Sequence, residues 1–315
     1  MPLGTGRAPG KVILFGEHAV VYGRPALAVP VSQVWAEAHV EALSSTNELT
    51  IWAQDLGEKI ALSDAPADHP LASAVRLTLG CLGIVNPPAW QVCVHSTIPI
   101  ASGLGSGAAV SAAIVRAVAS AASQELPLRT VSDLVYEVDR LHHGTPSGVD
   151  NTVVAYEQPV YFVRGQPPQP FTIGRPFLLA IADSGIASPT RIAVGDVRRR
   201  WTESPERYEA VFDRIAAVVE AAHRAIAVGE AAALGPLMDV NHQLLVELGV
   251  SCEELDRLAA AARDAGAGGA KLSGGGRGGN LIALVTDRTA APVESALRQA
   301  GALNVIVTRV DHGLA

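Results

Sequence analysis

The chain has 315 residues, of which 49% are hydrophobic and 17% charged, and its formal net charge is −7. That is enough apolar sequence for one large or two medium globular domains, and it excludes a disordered chain. The acidic balance, with no basic tract, argues against nucleic acid as a partner. Apolar runs such as residues 211–227 are broken by charge, so no membrane-spanning segment is expected.

Cys81, Cys93 and Cys252 have no metal or redox spacing, which suits reduced thiols in a cytoplasmic protein, and the first residues lack a signal-peptide pattern. Lys11, Lys59 and Lys271 are the only lysines among 24 cationic residues, and Lys11 and Lys271 stand in glycine-bearing segments. Lysine offers a compact charge and a titratable amine that arginine cannot replace beside a phosphate or a nucleophile. That favours a chemical role for Lys11 in particular.

Taken in order, residues 8–15 begin as a strand that breaks at Gly16, presents Glu17 and His18, and resumes as an apolar segment through Val31. A charged pair planted between apolar residues is poorly placed for free solvation, so a solvated loop is the weaker reading. Residues 35–41 and 49–53 alternate like antiparallel strands, 63–69 read as a loop and 71–82 as a helix.

Trp90–Ser96 reads as a strand, followed by a glycine-rich loop and a small-residue helix over 108–123. The loop holds Gly103, Leu104, Gly105, Ser106 and Gly107 and leads into Ala108. Strand, glycine loop and helix N-terminus together bind anions, because the backbone comes close to a phosphate and unpaired N–H groups and the helix dipole point at it. Neither the Walker nor the dinucleotide spacing is present. The competing reading is that the glycines serve close helix packing.

Residues 130–141 form another helix, and the loop after it runs from His142 to Thr152. Asp150 in that loop, ahead of an expected strand over 153–156, is a candidate base or orienting group, and Ser147 a cap or hydrogen-bond donor. A turn made by Asp150 and Asn151 is the plainer alternative. His142 and His143, being neighbours at a helix end, point in different directions and are not read as metal ligands.

From Val160 the pattern changes: a proline-rich turn, a strand over 177–183, a loop over 184–190, and helices over 194–201, 206–228 and 253–265. A glycine-rich stretch over 266–279 holds Lys271, then come a strand over 280–285, a helix over 291–300 and a last strand over 304–310. The second half therefore reads as an α+β sandwich, with a boundary near residues 157–175 and no internal repeat.

Three segments in this order resemble the motifs of the GHMP family of small-molecule kinases: Pro9-Gly10-Lys11 with Gly16-Glu17-His18, then Gly103-Leu104-Gly105-Ser106, then Lys271-Leu272-Ser273-Gly274-Gly275-Gly276. Gly16–Gly23, Pro146–Asn151 and Asn241–Leu245 are similar to the mevalonate kinase branch in particular. The resemblance implies an α+β fold of two domains, 1–165 ribosomal-protein-like and 166–315 ferredoxin-like, with the active site between them. It implies ATP and Mg²⁺, mevalonate as substrate, and transfer of a phosphoryl group to its 5-hydroxyl. Asp150 would accept or orient the hydroxyl proton, and Lys11 would stabilise the moving charge. Glu17, His18, Ser147, Thr190 and Gly275 would line the substrate pocket, and the backbone of Gly103–Ala108 would hold the ATP phosphates.

Some positions depart from the family pattern. Gly107 stands where a metal-binding serine is usual and Asp139 where a glutamate is usual, so either water, Ser106 or Ser111 takes the place of the hydroxyl. Val110 replaces a tyrosine, and the third motif carries Arg277, suited to a phosphate or carboxylate or to a solvated surface. The alternatives to a mevalonate kinase are a relative acting on another small alcohol or on phosphorylated mevalonate, and a nucleotide-binding regulator with an impaired metal site. Oligomeric state is left open, a homodimer being among the states available.

Overall fold

The structure, a computed structural model, describes residues 1–44, 48–99, 103–143, 146–188 and 190–311, leaving aside the side chains of His142 and His143. Residues 100–102 of the glycine-rich stretch and residues 144–145 of the second loop lie outside it. The chain runs β1 (Gly4–Phe15), β2 (Ala26–Ala42), β3 (Thr50–Ala53), β4 (Glu58–Ala61), α1 (Pro70–Cys81), β5 (Trp90–Ser96), α2 (Ser106–Ala121), α3 (Leu128–His143), α4 (Val149–Tyr156), β6 (Val160–Phe162) and β7 (Gln169–Pro170). It continues as β8 (Phe177–Asp183), α5 (Thr190–Glu203), α6 (Pro205–Val228), α7 (Leu234–Glu247), α8 (Glu253–Asp264), β9 (Gly269–Ser273), β10 (Asn280–Val285), α9 (Ala290–Gln299) and β11 (Asn304–Val310). Among the described residues no helix is long and apolar enough to cross a membrane.

Two compact units emerge, and neither is one continuous stretch. The first gathers Met1–Gly10, Val34–Pro99 and Gly105–Glu157, the second Lys11–Gln33, Ile100–Leu104 and Gln158–Ala315. The strand pair β1 and β2 passes from one unit into the other, so the residues around Gly16 group with the C-terminal half of the chain.

In the first unit, β2 buries Ala36, Ala38 and Val40 and exposes Glu37 and Glu41, the alternation of a sheet wet on one face. The strand order is β4-β3-β5-β2, with β1 on β2. Residues 35–41 and 49–53 are strands that run in opposite directions, as expected, but they are not neighbours: β5 lies between them, antiparallel to β2 and parallel to β3. Two adjacent strands in sequence need not be neighbours in a sheet when a helix, α1, intervenes before the strand that separates them. Helix α2 lies close on β1. A Cβ on Gly6 would come within 2.2 Å of the Ala113 carbonyl oxygen, which no side chain allows. The alanine-rich α2 is what lets the two backbones approach.

A correction concerns residues 153–156. They are the end of α4, not a strand. The run Val153-Val154 favours a strand locally, but both valines are buried, Asn151 Nδ2 donates to Ser132 Oγ at 2.9 Å, and Thr152 Oγ1 donates to the Gly148 carbonyl at 2.7 Å. Tertiary packing overrides propensity.

In the second unit, the antiparallel sheet has the order β11-β8-β10-β9. Numbered within the sheet this is 4-1-3-2, the ferredoxin-like arrangement expected of the second domain. Its edge strand β9 is closed by helix side chains. Asp239 and His242, one turn apart on α7, accept from the N–H groups of Ala270 at 3.0 Å and Leu272 at 3.3 Å. Arg263 binds both Asp239 (2.6 Å) and the Ala270 carbonyl (2.7 Å), completing the cover.

Candidate active site

Within the second unit, Lys11 sits in β1 at 3% exposure, and its backbone N–H donates to the Leu104 carbonyl at 2.9 Å. That bond ties the described end of the glycine-rich loop to the lysine strand. After Phe15 the chain turns through Gly16 (φ 99°), and His18 takes φ 62°, a left-handed value uncommon for a residue with a side chain. Glu17 and His18 are buried, as the apolar flanks lead one to expect.

Each of the pair has a specific partner. The Glu17 carboxylate meets Lys271 Nζ with one oxygen and accepts from Asn241 Nδ2 with the other, at 3.4 Å. Burial pushes the Lys271 ammonium below its ordinary range, and Glu17 opposes that shift. His18 bonds the Gly275 carbonyl through Nε2 at 3.0 Å. Burial lowers the imidazole to about 4, so the ring is neutral, carries its proton on Nε2 for that carbonyl, and presents Nδ1 as an acceptor. Thr190 begins α5 beside the same glycine: a Cβ on Gly275 would come within 2.5 Å of Thr190 Oγ1.

The third glycine motif is pinned from several sides. Ser188 Oγ donates to the Gly276 carbonyl at 2.9 Å, and the N–H of Arg277 donates to the Val250 carbonyl at 2.8 Å. Arg277 meets the carboxylate of Asp196 at 2.6 Å, which holds that carboxyl below its usual range. Of the roles open to Arg277, the structure shows a carboxylate partner supplied by the protein itself.

Within the first unit, α2 starts from Gly105 in the left-handed conformation (φ 73°) with no side-chain cap. The Ala109 N–H makes the first intrahelical bond, to the Gly105 carbonyl at 2.9 Å, so the N–H groups of Ser106, Gly107 and Ala108 precede the helix ladder. Gly107 itself is helical. It is absent from the positive-φ glycines, and a Cβ there would meet nothing within 4 Å. Asp139 is buried on α3. Ser147 Oγ accepts from the N–H of Val149, the first residue of α4, at 3.3 Å, and Asp150 lies in that helix's first turn. Helices α2, α3 and α4 pack on one another, so Gly105–Ala108, Asp139, Ser147 and Asp150 belong to one cluster of helices.

Among the described residues, His39, Glu41 and Cys93 also bring ligand-type atoms within 4.8 Å of one another on β2 and β5. The Cys93 thiol is pushed up to about 11 by burial and by Glu41, and sulfur is a poor partner for a hard cation, so this is not a magnesium site.

Residues 69–158 match the family described as GHMP kinases N terminal domain, and residues 215–303 match GHMP kinases C terminal. The chain belongs to the GHMP kinase family. Among its relatives, the mevalonate kinase of Pyrococcus horikoshii is 35% identical over 97% of this chain and 95% of its own. That of Thermococcus onnurineus is 33% identical over 98% and 96%. The crystal structure of L. major mevalonate kinase in complex with R-mevalonate superposes with a TM-score of 0.85 at 26% identity, covering 99% of this chain and 97% of that one.

In this GHMP kinase, sequence reasoning missed two partners of Glu17. Lys271 was noticeable as a rare lysine, but nothing local says that it is fully buried; Asn241 stood out only through its motif. The pairing spans 254 positions. No periodicity reports a contact of that separation.

Proposed function

We propose that this chain transfers the γ-phosphoryl group of ATP to the 5-hydroxyl of mevalonate. One observation carries the reading: the likeness to mevalonate kinases runs through both domains and nearly the whole chain, not through the ATP-binding motif alone. The site residues are then read as follows. Asp150 takes the hydroxyl proton as the oxygen attacks phosphorus; the new O–P bond forms as the bond to the bridging oxygen breaks, and that electron pair leaves with ADP. Lys11 stabilises the charge that develops on the moving group. The N–H groups of Ser106, Gly107 and Ala108, with Gly103, Leu104 and Gly105 shaping the approach, hold the phosphates at the start of α2. His18, neutral and accepting through Nδ1, suits a substrate hydroxyl, and Ser147, Thr190 and Gly275 are read as further substrate contacts.

Mg²⁺ is the metal such a transfer calls for, and the donor chemistry fits. Asp139 offers a buried carboxylate and Ser106 a hydroxyl, both hard oxygen ligands that would hold the ion, and waters and phosphate oxygens would supply the rest. When bound, the ion draws charge from the phosphate oxygens. The setting we propose is the cytoplasm, in keeping with three free cysteines. ADP release measured with mevalonate, phosphomevalonate, homoserine and galactose in turn tests the function. Turnover that depends on mevalonate is expected, and equal or faster turnover with any of the others overturns it.

A further inference from the structure

The turn that carries His18 is held by groups far away in the chain. Ser273 Oγ donates to the Ile13 carbonyl at 2.8 Å and accepts from the Ile13 N–H at 3.2 Å. Lys271 meets Glu17, and the Gly275 carbonyl meets His18. Lys271 and Ser273 lie on one face of β9, and Gly275 follows in the bend that begins at Gly274 (φ 90°), so the strand and the bend after it grip the end of β1 and the turn after it. A Cβ on Gly16 would come within 2.5 Å of the Pro25 carbonyl oxygen, so the turn has no slack of its own.

Glu17 and Lys271 are 1% and 0% exposed, and a carboxylate buried to that degree persists only with a partner. Both of its oxygens are engaged, one by Lys271 Nζ and one by Asn241 Nδ2. Lys271 in turn donates to the Leu272 carbonyl at 2.6 Å. We infer that Glu17 is a positioning residue and not a substrate contact: the Lys271–Glu17–Asn241 cluster fixes the turn, and the turn fixes the tautomer and conformation in which His18 meets the substrate. The identity of that substrate rests on the mevalonate reading; the cluster does not.

The test uses Glu17→Gln, Lys271→Met and the two together. Each single change strands a buried partner and is expected to raise KM for mevalonate about tenfold or more, with KM for ATP within about twofold. The double change removes both charges in nearly the same volume, and KM for mevalonate should return to within about threefold of the parent. A carboxylate that touched the substrate would leave the double variant as impaired as Glu17→Gln, and that outcome overturns the inference, as does a Glu17→Gln enzyme with an unchanged KM. If the single variants are too unstable to assay, the double variant decides against the parent by the same criterion. Long-range ¹H–¹⁵N spectra give a readout independent of turnover: His18 should keep its Nε2–H tautomer in the double variant and lose it in the singles. A parent inactive on mevalonate fails the functional reading alone, since the spectra still test the cluster.

Discussion

In the second unit, the turn that carries His18 is locked by buried side chains, with the Glu17 carboxylate, the Lys271 ammonium, Asn241, Ser273 and Gly275 all engaged. In the first unit, α2 opens on a glycine with no side-chain cap, and a Cβ on Gly107 would meet none of the described residues outside its own helix within 4 Å. In one region the protein itself meets most of these polar groups, Asn241 Oδ1 being left without a partner among the described residues; the other presents backbone donors that, on the proposed function, a ligand satisfies. The contrast follows what each is proposed to recognise. A small hydroxylated acid must be told from its analogues by fixed side-chain geometry, whereas phosphates are held by charge and a row of N–H groups. Changes in the locked region should therefore be punished, and changes at the open helix start tolerated.

The largest effect is expected at Asp150, the proposed proton acceptor. Asp150→Asn should lower kcat by about 10²–10⁴-fold while ATP binding, followed by titration calorimetry, stays nearly intact. Turnover within about a factor of two of the parent would remove Asp150 from catalysis. Next comes Lys11→Arg. The guanidinium is wider than an ammonium and Lys11 is only 3% exposed, so a loss of about 10² in kcat is expected despite the retained charge. Normal steady-state kinetics for this variant would make Lys11 structural.

Stability should then fall with acid on the locked side. The folded-state value of His18 is lowered from 6.5 to about 4, so its contribution is fully present above pH 6.5 and is lost as pH falls toward 4. The cost reaches about 3 kcal/mol, read by urea unfolding across that window. His223 and His242, also lowered by burial, act with the same sign, so a His18→Asn variant should show a shallower slope and not a flat one. A slope equal to the parent's would show that His18 titrates normally.

The smallest effect belongs to the open helix start. Gly107 is helical and has room for a side chain, so a need for left-handed backbone there is excluded. Gly107→Ser should leave ATP affinity within about twofold and lower the Mg²⁺ concentration for half-maximal rate about threefold by adding a hard oxygen ligand. Asp139→Ala should raise that concentration. An unchanged Mg²⁺ requirement in Asp139→Ala would end the assignment of that carboxylate to the metal.

Much of this was legible in the chain because it is local. The strands β5, β8, β10 and β11 and the helices α2, α6 and α8 show in periodicity and glycine punctuation, and the three motifs lie in short contiguous runs. What escaped was set at a distance. Residues 153–156 look like a strand until Asn151 is seen anchored on α3. β9 hides inside a glycine-rich stretch, and α7 was noticed only as a motif. The burial of Glu17 was readable from its apolar flanks, but its partner was not, because a buried lysine and an exposed one are the same letter.

The covered edge of β9 has a consequence for how copies of this chain meet one another. A sheet edge with unpaired N–H groups is a template on which a strand from another molecule adds, the first step toward swapped dimers and fibrils. Here the places such a strand would take are filled by a carboxylate and an imidazole from α7, and the imidazole accepts from Leu272 only while it is neutral. Burial, with the charges of Arg263 and Lys271, keeps it so, against the pull of Asp256 at 3.2 Å. Resistance to intermolecular strand addition on that side of the sheet thus rests on Asp239 and Arg263 together with a neutral His242.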